Sequence, residues 1–322
     1  MRILANEFVL PILPDKQCHA SHFITLDEGR IFCVCFYGSA EGNDDVRIWG
    51  AVRTPDCRWS DPVPLSPDDG IPHWNPVLHR RKDGAVVLFY KVGKTIPNWV
   101  THYRISYDHC VTWTDPAVLV PDDTSGGRGP VRNKCINLAD GTILAPGSTE
   151  QGEWKCFFDR SADGGSTWQR SADIRIPALA NDPSPIRKGV IQPTVWQTNA
   201  GFHALLRSSE GNVYRTDSAD GICWCDAYPI DFPNNNSGID AVQLPDGRII
   251  LCANPVSENW GSRSPISLFV SEDNGHTFRL LTHLTTMAGE YSYPALRYEN
   301  GLLHITYTWQ RRTVQYFCLA DL

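Results

Sequence analysis

Four cationic side chains, Lys91, Arg132, Arg207 and Arg263, stand out in a chain whose net charge is −7. Arginine presents a planar fork that grips a carboxylate through two parallel hydrogen bonds, so a group of them suits an anionic ligand. The polar residues His19, Asn75, Asn133, Gln192, Ser237, Asp240, Tyr291 and Tyr293 fall near the starts of apolar strand-like runs, with Glu41, Lys91, Glu150, Arg207 and Asn254 at the far ends of the runs that follow. Polar groups inside strands are costly unless paired or used. Two outcomes fit them: a hydrogen-bonded plug, or a polar pocket in which carboxylates move protons and arginines hold an anion.

Such residues meet only if the chain folds around an axis. Four segments look alike: SYDHCVTW (106–113), SADGGSTW (161–168), SADGICW (218–224) and SEDNGHTF (271–278), with TPDCRW ending at Trp59 as a degenerate relative. Their closing aromatics, Trp59, Trp113, Trp168, Trp224 and Phe278, are 54 to 56 residues apart. Asp and Ser/Thr bond turn backbone, Gly permits the tight turn, and the aromatic tucks into the blade, so the repeat is a structural staple. A second marker, a turn ending in glycine, recurs at 27–29, 82–84, 139–141, 199–201, 245–247 and 299–301 between β-branched runs, the signal of a hairpin. Six hairpins in 322 residues give about 54 residues per unit, enough for four strands each.

The expected fold is therefore all-β, a six-bladed β-propeller forming one domain over 1–322. ILANEFVL near the start is expected to pair with TVQYFCLA at the end and close the ring.

The boxes resemble the Asp-box of the sialidase (neuraminidase) superfamily, whose members are six-bladed propellers; SADGGSTW is a perfect copy. The resemblance covers nearly the whole chain, is specific for fold and says less about activity. It implies an enzyme that holds its substrate's carboxylate with three arginines, attacks with a Glu-activated tyrosine and uses an aspartate as acid/base. Carried over by motif, two of the arginines are Arg207 and Arg263, the tyrosine is Tyr293 with Tyr291 a rival, and the acid is Asp45 in EGNDDVRIW, with Asp44 and Glu41 as alternatives. Two departures stand out. His19-Ala20-Ser21 occupies the place of the first arginine, and Gln192, an amide, occupies that of the glutamate. Glu150, Asp240 or Glu290 then remain as substitute bases.

Three functions follow from this pattern. One is an exo-glycosidase that removes a terminal acidic sugar from an oligosaccharide or glycoconjugate, with Arg132, Lys91, Asn75, Gln192, Asp240 and Glu150 as further substrate contacts. Another is a uronate lyase using His19 and Tyr293. The third is a glycan-binding propeller that stacks sugars on Trp74, Trp99, Trp260 or Trp309. No cofactor or metal is required. There is no phosphate loop or dinucleotide fingerprint. The acidic balance argues against nucleic acid, and no run of about 18 apolar residues offers a membrane-spanning helix. Eleven cysteines, an odd number without a CxxC pair, read as reduced thiols filling apolar space, with Cys33/Cys35 and Cys223/Cys225 each on one strand face. The N-terminal residues carry no signal-peptide pattern, so a cytoplasmic location is expected.

Overall fold

A computed structural model describes residues 1–179 and 188–322. Six four-stranded antiparallel sheets follow one another around an axis. Blade 1 spans Gln17–Thr25 to Val63–Pro64, and blade 2 spans His73–Arg80 to Ala117–Val118. Blade 3 runs from Ile136–Asn137 to Gln169–Arg170, blade 4 from Val190–Thr198 to Tyr228–Pro233, and blade 5 from Asp240–Gln243 to Arg279–Thr285. Blade 6 is Tyr291–Glu299, Leu302–Trp309 and Thr313–Ala320, completed on its outer side by Arg2–Phe8. Arg2 faces Ala320 and Phe8 faces Gln315 in that antiparallel pair, so the first strand closes the ring against the last.

The six hairpin glycines, Gly29, Gly84, Gly141, Gly201, Gly247 and Gly301, all take positive φ, the conformation that their turns demand. In the perfect Asp-box, Asp163 accepts from the Ser161 hydroxyl at 2.8 Å, the Thr167 amide at 2.9 Å and the Thr167 hydroxyl at 2.6 Å. Asp108 and Asp273 repeat that pattern.

The box aromatic does more than tuck into its own blade. Trp113 of blade 2 packs on Phe32 of blade 1 at 5.9 Å, and Trp168 of blade 3 on Phe89 of blade 2 at 6.0 Å. Trp224 of blade 4 stacks on Phe158 of blade 3 at 3.8 Å, and Phe278 of blade 5 meets Phe232 of blade 4 at 5.6 Å. Even degenerate Trp59 packs on Tyr316 of blade 6, at 5.6 Å. Each box therefore fastens its blade to the preceding one, which explains why its spacing equals one blade.

All eleven cysteines are free. Cys33 and Cys35 are buried apolar fillers, as their alternation implies. Cys57, Cys223 and Cys225 are exposed, which corrects the expectation of burial for them. The pair at 223 and 225 lies in the shortened box of blade 4, past the end of strand Asn212–Ser218, so its alternation is that of a loop. Among the described residues no helix is long and apolar enough to cross a membrane.

Candidate active site

The inner strands share one irregularity. In blade 1 His19 faces Phe36 and His22 faces Val34, so three steps on the inner strand match two on its neighbour. The same slip separates Trp74 from Val77, Ile191 from Thr194 and Ser292 from Ala295. Each is a bulge, a device that turns a side chain out of its regular direction. Inside these bulges Ala20, Asn75, Gln192 and Tyr293 have φ of 54°, 45°, 55° and 56°. Arg132 (φ 71°) and Asn236 (φ 59°) take the same left-handed conformation in the segments that lead into the inner strands of blades 3 and 5. None is glycine, and such backbone costs about 1–3 kcal/mol per residue unless the surroundings enforce it. One strained residue per blade, at the axis, is the framework of the site.

Tyr293 is its centre. The ring lies under three guanidinium groups, with Arg132, Arg263 and Arg207 at 5.3, 5.7 and 5.6 Å from its centroid. The phenol oxygen accepts from Arg207 Nη1 at 2.6 Å. Arg207 also donates to Gln192 Oε1 at 3.2 Å and to Asn236 Oδ1 at 2.8 Å, and its guanidinium lies 5.8 and 5.7 Å from the rings of Trp154 and Trp260, which touch each other. Gly238 lies close beside Tyr293: a Cβ there would stand 3.3 Å from the phenol ring, a tight contact.

The opposite wall is ionic. Arg263 donates to Glu290 Oε1 at 2.7 Å, and Arg311 donates to that same oxygen at 2.6 Å. Arg311 also pairs with Glu41, joining blade 6 to the 39–45 loop of blade 1. Half-buried Glu150 has no hydrogen-bond partner among the described residues. Burial pushes its carboxyl above the usual range; Arg207 opposes the rise and Glu41 adds to it.

His19 packs against Tyr293 with ring centroids 4.0 Å apart and is 1% exposed. Its Nδ1 is 2.8 Å from the Thr308 hydroxyl, and Nε2 is buried without a partner. Burial, followed by the charges of Arg311, Arg263, Arg132 and Arg207, holds the imidazole neutral far below its ordinary pKa. His19 thus supports the tyrosine from within and does not meet solvent.

Several residues expected at the site lie elsewhere. Asp240 is buried below it, accepting from Lys134 Nζ and the Leu296 amide at 2.7 Å each and from Thr194 Oγ1 at 2.6 Å. With Arg132 donating to the carbonyls of Ser21 and Pro294, and Asn133 to those of Gln192 and Pro193, this layer is the hydrogen-bonded plug. Burial draws the Arg132 pKa down to about 10. Lys91 is buried toward blade 3, donating to Thr101 Oγ1 and the Arg128 carbonyl at 2.7 Å each, and burial draws its ammonium down to about 7. Tyr291 is buried, and its hydroxyl accepts from Gln310 Nε2 at 2.7 Å, so it props a turn. Asn254 braces that strand by donating to the Tyr291 carbonyl at 2.9 Å.

Asp45 is locked to the Ser39 amide and hydroxyl at 2.9 and 2.6 Å. Burial would raise its pKa, but Ser39 and Lys16 outweigh that and hold it low, the wrong direction for a proton donor. Trp74 and Trp99 are core residues, and Trp309 packs on Phe8 and Tyr291. Trp260 alone of the four aromatics stands out at the rim, 61% exposed. Asn75, with no side-chain partner among the described residues, lines the axis from blade 2.

Three contributors were not placed by sequence reasoning. Asn236 escapes a ruler built on hairpin glycines because the inner strand of blade 5 starts late, at Asp240. Trp154 precedes its strand, in a loop. Arg311 reads in the sequence as a rim or surface residue; the turn that directs it inward carries neither Asn nor Gly to announce itself.

A family model for the BNR repeat-like domain matches residues 29–305. A search among curated proteins finds no match. Among solved structures, a protein of unknown function from Dyadobacter fermentans superposes with a TM-score of 0.77 at 15% identity, each chain covered to 99%. The Hadza microbial sialidase Hz136 gives 0.77 at 15% identity, covering 95% of this chain and 66% of the sialidase. A mutant of the NanB sialidase from Streptococcus pneumoniae gives 0.73 at 12%, covering 97% and 70%. This chain therefore spans about two thirds of the length of those sialidases, and at such identities the likeness is one of fold. The chain belongs to the BNR repeat-like domain family, and its six-bladed propeller is the fold it shares with those sialidases.

Proposed function

We propose that the chain is an exo-acting glycosidase that cleaves a terminal acidic sugar from a glycan. The observation that carries this reading is Tyr293 on the axis, its oxygen 2.6 Å from Arg207 and its ring faced by three guanidinium groups. A carboxylate of the sugar enters beside Arg207 and Arg263, and the Tyr293 oxygen faces the anomeric carbon as nucleophile. Arg207 stabilises the charge that develops on that oxygen. Glu150, whose pKa burial raises, protonates the leaving oxygen and then takes a proton from the water that attacks the anomeric carbon and frees the sugar from Tyr293. The carboxylates Glu41 and Glu290, each paired with arginine, are the acceptors for the phenol proton. Asn75, Gln192 and Asn236 meet the sugar hydroxyls, and Trp260 offers an apolar face to the next residue of the glycan.

The lyase reading, with His19 as base, is disfavoured because His19 is enclosed behind Tyr293. Simple binding leaves the unpaired, protonatable Glu150 unexplained. Eleven free thiols suit a reducing compartment such as the cytoplasm.

The test is a panel of 4-methylumbelliferyl glycosides of N-acetylneuraminic, glucuronic and galacturonic acids, followed by fluorescence. Release of the aglycone from at least one, lost in Tyr293→Phe, is the expected result. A product absorbing as an unsaturated uronate would overturn hydrolysis in favour of elimination.

A further inference from the structure

We infer that Arg311 is a specificity-determining residue that receives the anionic group of the sugar, so that the anion subsite is assembled across the seam where the ring closes. This rests on the acidic-sugar reading above and goes beyond it, since Arg311 comes from a hairpin turn at the closing seam and not from an inner strand.

The turn between Leu302–Trp309 and Thr313–Ala320 holds Gln310 and Arg311 at φ 55° and 58°. Two successive left-handed residues in a tight hairpin normally call for Asn and Gly, and here both bear long side chains. The turn is enforced from several sides. Gln310 donates to the Tyr291 hydroxyl at 2.7 Å, and its amide donates to the Glu290 carbonyl at 2.7 Å. The Arg311 carbonyl accepts from the Cys18 amide of blade 1 at 2.8 Å. Gly289, at φ 143°, holds a backbone conformation that L side chains rarely adopt and lies against the Gln310 side chain, so this position calls for glycine. This bracing fixes where the Arg311 side chain leaves the backbone.

From there its guanidinium reaches Glu290 through Nε and Glu41 through Nη1, while Nη2 donates to no described residue. Glu290 Oε1 already carries Arg263, so two guanidinium groups share one carboxylate oxygen. Arg263 and Arg311 face Glu290, and Arg311 also faces Glu41. With Nε and Nη1 of Arg311 engaged, Nη2 is the donor left to meet an anionic ligand. Arg311 is also the largest of the arginine influences on His19, the residue of blade 1 beside which no arginine of its own strand stands. A purely structural arginine would need neither a strained turn nor a shared counter-ion.

The experiment measures calorimetric dissociation constants for N-acetylneuraminic acid, glucuronic acid and galacturonic acid, each beside its methyl ester, with wild type, Arg311→Gln and Arg311→Lys. Wild type is expected to prefer at least one acid over its ester. Arg311→Gln should weaken that acid by about 10- to 100-fold, the value of one charge-assisted bond, and leave the ester unchanged. Arg311→Lys, which keeps the charge without the fork, should fall between. An acid-over-ester ratio that survives Arg311→Gln overturns this inference alone. Equal loss of acid and ester would mean that Arg311 only holds the fold, and also overturns it. A wild type without preference for any acid overturns the acidic-sugar reading and this inference together.

Discussion

Two layers around the axis treat buried charge in opposite ways. In the lower layer Asp240 takes Lys134, Thr194 and the amides of Leu296 and Ala241, so its oxygens are fully engaged from within. In the upper layer Glu150 has no partner, Arg263 and Arg311 share one oxygen, and Tyr293 receives a single hydrogen bond on its oxygen. Asp240 has both oxygens engaged, as suits a plug that holds blades together, whereas the unpaired Glu150 and the shared Glu290 oxygen describe a site that waits for a ligand. The difference is one of matching, because arginines, carboxylates and amides occur at both heights.

The comparison breaks if the layers respond alike to mutation. Asp240→Asn strips Lys134 of its buried counter-charge and should cost about 3–5 kcal/mol of stability, read as a lowered denaturant midpoint. Tyr293→Phe should do the reverse, with an unchanged midpoint and turnover down on the order of 10³-fold. Glu150→Gln should lower turnover by about 10²-fold on substrates with poor leaving groups and far less on aryl glycosides. The sign of its pH effect is fixed by its raised pKa: the proton it donates is present at low pH and lost as pH rises through that pKa. Wild type should therefore show a falling alkaline limb in kcat that the Gln variant lacks.

The Asp-boxes supply a third term. Trp168→Ala removes a half-buried ring from the seam with blade 2 and should cost about 1–3 kcal/mol without altering KM. Asp108, drawn down to about 2 by Thr112 and Ser106, works in the direction of acid lability. Its folded pKa lies below its unfolded value, so its contribution is present above about pH 4 and lost as pH falls toward 2. Midpoints of thermal unfolding measured from pH 6 to pH 2 should drop over that window, and less so in Asp108→Asn.

Repetition made the fold legible. A box that fastens a blade to its predecessor recurs at one-blade spacing in blades 1 to 5, and a left-handed hairpin glycine recurs in all six, so spacing alone reveals the ring. The site was only partly legible, for the opposite reason: each blade places a different residue in its bulge. Gln192 and Tyr293 could be located because inner strands keep their place relative to the hairpins, Arg207 because it lies at the end of the strand after a hairpin, and Arg263 because its segment runs into an Asp-box. Lys91 and Asp240 were put in the pocket because a ruler along the strand gives height but not direction, and both turn inward to partners instead. Asp45 matches a motif position, but its local bonds to Ser39 outweigh it. Arg311 and Trp154 come from loops, where strand periodicity carries no information, and their roles depend on contacts between distant parts of the chain.

Labelling at Tyr293 tests the account most directly. The protein is incubated with 2,3-difluorosialic acid, a probe that accumulates a covalent glycosyl-enzyme, and its peptides are then analysed by mass spectrometry. The account predicts one added glycosyl group on the peptide containing Tyr293, absent in Tyr293→Phe and unaffected by Asp163→Asn. Attachment to another residue, or an unlabelled protein that still turns over the sialoside, would contradict it.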